Sequence, residues 1–135
     1  MKLKDQVLTK TQVYELINLG FDVEKYATSV IITAIDNNHY IVDKKLIDMG
    51  FIKAEVIKYF PTLTIGDIMD ILPERIEDIY NYDFQSAKLN GKFIVRYNDY
   101  KHEFKESYFI IEDKNQINAL FETLKWCIEN KHIAI

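Results

Sequence analysis

The sequence predicts an α+β fold: an antiparallel β-meander over about residues 79–111, packed by a long C-terminal helix over about 114–129 and by two short helices over about 10–19 and 65–72. Three observations carry this. Apolar residues recur every second position from Tyr80 onward, the period of a half-buried strand. Asn90-Gly91 interrupts that alternation, and this dipeptide suits a two-residue hairpin turn. From Ile117 the period lengthens to that of a helix, with Ile117, Leu120, Phe121, Leu124, Cys127 and Ile128 on one stripe.

The first helix announces itself at Thr9, whose hydroxyl is placed to cap the N–H of Gln12 while Gln12 reaches back, with Leu8 and Val13 as the hydrophobic staple. Val13, Leu16 and Ile17 form its apolar face, and Gly20 supplies a left-handed stop. Residues 28–61 are less regular. Ser29 to Ile35 is β-branched and strand-like, Asp36-Asn37-Asn38 is a turn, and His39 to Val42 again reads as a strand. Leu46 to Phe51 echoes Leu16 to Phe21, which suggests a second helix end but leaves a strand open. Ala54 to Phe60 extends the sheet before Pro61.

The mid-chain helix starts at Thr64, with Asp67 at its third position and Leu63 and Ile68 as the staple; Pro73 ends it by disfavouring helical geometry at Leu72. In the meander, a two-residue turn at Asn90-Gly91 sets Phe84 opposite Tyr97, Ser86 opposite Val95 and Lys88 opposite Phe93. Tyr80, Tyr82, Phe84, Phe93, Val95 and Tyr97 then share one face, the one rich enough to meet the last helix, so core packing rather than base stacking is expected of it. A third strand is expected to carry Phe104, Tyr108 and Ile110 on one side. Asp113 is the expected cap of the last helix, and Trp126 lies beside its apolar stripe.

At 135 residues, 48% hydrophobic and 28% charged, the composition is that of one ordinary globular domain spanning 1–135, with enough chain to bury a core without metals or disulfides. One cysteine excludes an internal disulfide framework and a cysteine-rich zinc site. The formal charge of −4 argues against a nucleic-acid grip as the main activity, because phosphate neutralisation needs a positive footprint. No apolar run nears the ~20 residues of a membrane span, and no export signal is visible, so a cytoplasmic protein is expected.

The motifs of chemistry are sparse. No GxSxG, P-loop or GxGxxG pattern occurs, and no cofactor is expected. His39, His102 and His132 have no metal-ligand spacing and read as solvated histidines. Cys127 falls on the apolar stripe and reads as a small buried hydrophobe. The densest charge feature is Asp67, Asp70, Glu74, Glu77 and Asp78, taken as a solvated acidic edge and, with Tyr100, as a candidate surface for a partner. Nine tyrosines and eight phenylalanines exceed what a core of this size needs, and Tyr14, Tyr59, Tyr100 and Tyr108 are candidates for wet hydroxyls at a binding surface.

The segment order resembles a group of small uncharacterised bacteriophage and prophage proteins of Bacteroidetes type. The shared features are an opening helix, here Thr9 to Gly20, a Thr-led helix ending in Leu-Pro, here Leu63 to Pro73, and a closing helix of the form Trp-x-x-Glu-Asn-Lys-x-Ile, here Trp126 to Ile133. Val13-Tyr14 departs from the small residue that group carries in its first helix. The resemblance rests on structural residues, transfers no catalytic ones, and implies a phage or mobile-element origin. The expected function is that of a non-enzymatic accessory protein acting by protein–protein contact, with self-association through sheet edges also open. The alternatives are a metal-dependent enzyme using Asp67, Asp70 and a histidine, and a nucleic-acid binder through the Lys92–Tyr97 strand.

Overall fold

Thr9 caps the first helix as its chemistry requires. In the computed structural model the Gln12 N–H donates to Thr9 Oγ1 at 3.2 Å, and the Thr9 N–H donates to Gln12 Oε1 at 3.0 Å. Helix α1 then runs Lys10–Asn18, with the staple residues Leu8 and Val13 buried, and ends at Gly20 with φ +89°. The described residues are 3–33, 36–50, 58–78, 80–99 and 107–134. The chain divides into two compact units, Met1–Asp67 and Ile68–Ile135.

In the first unit a single 3-10 turn, Leu3–Asp5, precedes α1, and a short helix α2, Val23–Tyr26, follows it. Three antiparallel strands, β1 (Ser29–Thr33), β2 (His39–Asp43) and β3 (Lys58–Thr62), stand in the order β2-β1-β3. Ile31 sits opposite Ile41 on one side and Phe60 on the other, so these three share a face. Pro61 lies inside β3, where an edge strand tolerates the missing N–H; the strand therefore continues past the proline rather than ending before it. Helix α3, Lys44–Asp48, ends at Gly50 with φ +78°, so the echo of the first helix is indeed a helix end. Residues 7 and 8 extend the structure at the end of β3. Val7 bridges Thr64, the Leu8 N–H donates to the Leu63 carbonyl, and buried Thr62 Oγ1 donates to the Leu8 carbonyl at 2.7 Å.

Helix α4, Ile65–Ile71, carries the chain across the division between the units. The second unit holds a four-stranded antiparallel sheet: β4 (Arg75–Glu77), β5 (Asn81–Leu89), β6 (Lys92–Asn98) and β7 (Phe109–Asp113), in that spatial order. Asn90 and Gly91 take φ of +51° and +75°, both positive as a type I′ turn demands. Their turn sets Phe84 against Tyr97, Ser86 against Val95 and Lys88 against Phe93, the register expected from the sequence.

Helix α5, Gln116–Glu129, packs on β6 and β7, burying Ile117, Leu120, Leu124, Cys127 and Ile128 against Val95 and Tyr97. Its cap is Asn115, whose side chain accepts from the N–H groups of Ile117 and Asn118. Asp113 instead closes the preceding turn by accepting the Asn115 N–H at 2.8 Å, so the expected cap is displaced by two residues.

Two expectations for the third strand change. Strand β7 begins at Phe109, and its pairing sends Phe109 and Ile111 to the helix face while Ile110 lies opposite Arg96 on the other face, half exposed. Tyr108 precedes the strand and stacks on Tyr82 with centroids 4.2 Å apart. Phe104 lies outside the described residues.

Candidate functional site

The expected partner surface splits on inspection. Asp67 is only 7% exposed because its carboxylate is consumed inside the first unit. It accepts from Thr28 Oγ1 at 2.7 Å, from the Thr28 N–H at 3.3 Å and from the Thr64 N–H at 3.1 Å, while its own N–H donates to Thr64 Oγ1. A carboxylate so occupied ties α4 to the start of β1 and is withdrawn from any surface for a partner. It is equally withdrawn from a metal pair with Asp70. Asp70, Glu74, Glu77 and Asp78 are exposed, and Tyr100 lies outside the described residues. Asp78 accepts the Tyr108 hydroxyl at 3.2 Å. Limited burial and that bond push the Tyr108 hydroxyl above its ordinary range. Among the described residues no group of three or more His, Cys, Asp or Glu side chains is placed to hold a metal ion.

The histidines also separate. His39 is exposed and faces Thr33 Oγ1 at 3.1 Å, and His102 lies outside the described residues. His132 differs from the solvated reading. Its ring sits 4.9 Å from Trp126 and 5.9 Å from Tyr108, and Nε2 is buried with no hydrogen-bond partner among the described residues. The physical cause is the helix end. Lys131 adopts φ +60°, the Lys131 N–H donates to the Ile128 carbonyl and the His132 N–H to the Cys127 carbonyl, a Schellman ending that turns the next side chain back onto the helix.

Trp126 is the hub of that corner. Phe109 stacks on it at 4.4 Å, Tyr108 meets it edge-on at 5.7 Å, and Tyr97 lies 6.1 Å away. Tyr97, fully buried, donates its hydroxyl to the Pro73 carbonyl at 2.7 Å. Burial pushes the Tyr97 hydroxyl far above its usual range, and burial pushes the Cys127 thiol up to about 12, with a hydrogen bond to Tyr97 opposing the rise. A thiol held protonated in this way is a packing group, not a nucleophile.

With the rings of β6 turned toward α5, the opposite sheet face is where chemistry meets solvent. Pairing places Gln85 beside Arg96, Ala87 beside Ile94, and Ile110 beside Arg96 on that face. The Arg96 Nε–H donates to Gln85 Oε1, which ties the guanidinium to the neighbouring strand. Ile110 is 50% exposed and Leu89 is 59% exposed. Residues 86–92, the outer end of the hairpin, are exposed without exception. Residues 84–89 with Ile94, Arg96 and Ile110 line a hollow of about 660 Å³. The margins are ionic. Arg75 bonds Asp83 at 2.7 Å, which holds its guanidinium above its ordinary range, and Lys92 lies 4.0 Å from Glu112.

The mixture is an apolar centre around one arginine with paired charges outside it. Its residues are the alternate positions of strands that the sequence reading did assign, apart from Ile110, which that reading placed with Tyr108. The alternation predicts that the ringed face meets the last helix, as buried Val95 and Tyr97 do; what the sequence did not signal is that Ile110 joins the opposite face. Base stacking by the aromatics of this strand is not available on the open face, because Phe93 and Tyr97 lie on the other. Comparison with family models, curated proteins and solved structures finds no match. No helix among the described residues is long and apolar enough to cross a membrane.

Proposed function

We propose that the protein is a non-enzymatic interaction protein that binds a protein partner through the open face of the four-stranded sheet. The observation that supports this is the apolar centre of exposed Ile110 and Ala87 with half-buried Ile94, arranged around Arg96. Interfaces favour this composition: apolar contact at the middle, an arginine able to pair with a carboxylate, and charges kept to the rim. The matching partner surface presents apolar side chains around an acidic group. In keeping with the phage-protein resemblance, the setting is the cytoplasm, the host's if the gene is phage-borne, and the role is accessory.

The test compares proteins retained from cytoplasmic extract by the wild-type chain, by Ala87→Glu/Ile110→Glu and by Asp70→Asn/Glu74→Gln. All substituted positions are exposed, so the variants keep the fold. The reading expects a partner retained by the wild type and by the acidic-edge variant but lost from the sheet-face variant. Loss from the acidic-edge variant alone, or retention by all three, overturns it.

A further inference from the structure

The first unit contains a second feature, independent of the sheet face just described. A cavity of about 460 Å³ opens between the N-terminal segment and the β2-β1-β3 sheet, within the ~300–1,000 Å³ typical of small-molecule sites. Its floor is apolar and dry in character: Val7, Leu8 and Ile31 are at most 4% exposed, and the Phe60 ring forms a wall beside Ile31. Its polar groups are all at the exposed rim, and their sign is uniform.

Lys4 and Lys10 line the mouth with His39, and among the described lining residues there is no carboxylate. The Lys10 ammonium stands 5.9 Å from the centroid of the Phe60 ring, which brings a cation directly over the apolar wall. Thr9 and Lys10 also begin α1, whose first N–H groups add positive potential at the same edge. In a chain of net charge −4, a cationic rim over an apolar pit is a local reversal of sign.

We infer that this cavity binds the alkyl chain of a free, unbranched fatty-acid-type carboxylate, with its head group held between Lys4 and Lys10. The apolar floor takes up the methylene chain, each buried CH₂ contributing by leaving water. The rim supplies charge-assisted bonds that a neutral or cationic head group does not receive.

The test titrates the full chain with decanoate below its micelle concentration, following methyl resonances of Val7, Leu8 and Ile31, alongside decan-1-ol and decyltrimethylammonium. The expected result is saturable one-to-one binding of decanoate with shifts at those methyls, about tenfold tighter than the alcohol and tighter still than the cation, the scale of a charge-assisted contact. Lys4→Gln/Lys10→Gln, at two exposed positions, is expected to lower decanoate affinity about tenfold and leave alcohol binding unchanged. No saturation, equal affinity for the three head groups, or shifts confined to other residues overturns the inference. So does a concentration-dependent shift of these methyls without ligand, which would mean that a second copy of the chain fills the cavity.

Discussion

Tyr97 shows how one side chain couples strand, helix and turn. Its ring packs beneath α5 while its hydroxyl reaches the Pro73 carbonyl at 2.7 Å, so the phenol is both core and tie. Tyr97→Phe preserves the ring and leaves the Pro73 carbonyl without that donor. The expected loss is about 1 kcal/mol in urea unfolding, the usual worth of one such bond. Cys127 beside it yields a pH dependence. An unfolded thiol ionises near 9.0, whereas the folded one is held protonated up to about 12. Protons are therefore lost from the unfolded chain first. The contribution of this group is complete below pH 9 and is withdrawn as pH rises from there toward 12. The Tyr97 hydroxyl, also raised, adds to the same alkaline loss. Thermal unfolding across this range is expected to fall less steeply in Cys127→Ala than in the wild type.

Single elements show which signals a sequence makes legible. The hairpin register could be read because Asn90-Gly91 allows only a tight turn, and a one-residue slip would turn every ring outward. Helices α1 and α4 could be read because each carries reciprocal cap bonds in its own first turn. The shortest elements stayed hidden. Helix α2 has four residues and β4 has three, too short to form without tertiary support; Asp22 caps α2 by accepting the Lys25 N–H at 3.3 Å, and β4 exists because Arg75 to Glu77 pair with Asp83 to Asn81. Asp67 was legible as a helix-start residue but not as the acceptor for Thr28, a partner 39 positions away. That long-range role predicts asymmetry within one helix. Asp67→Ala should cost about 2–3 kcal/mol by stranding the Thr28 and Thr64 donors. Asp70→Ala, one turn on and exposed, should stay within about 0.5 kcal/mol by the same denaturation measurement. At the far end of α5 the sequence departs from what the backbone asks. Lys131 holds φ +60°, where glycine is the usual occupant, so Lys131→Gly is expected to raise stability by about 1 kcal/mol.

On the scale of the whole molecule, two units each pair an antiparallel sheet with helices, and each leaves one feature unspent. In the second unit α5 covers one sheet face, and the other carries half-buried Ile94 and Arg96 and exposed Ile110. In the first, the N-terminal segment leaves an apolar cavity with a cationic rim. The alternation along β5 and β6 marks the ringed face as the one α5 covers, but it does not signal that β7 adds Ile110 to the open face. Strand β7 starts at Phe109, and its pairing turns Phe109 and Ile111 to the helix and sets Ile110 beside Arg96 on the open face. Charge told a similar half-truth: the acidic edge is real at Asp70, Glu74, Glu77 and Asp78, while its first member is a buried strut. The account rests on the open sheet face being the contact surface, and site-specific photo-crosslinking reads it directly. A photoreactive side chain replacing Ile110 is expected to capture the partner, while one replacing Glu122, exposed on α5, is expected to capture nothing. Crosslinks from position 122 with none from position 110 would contradict the account.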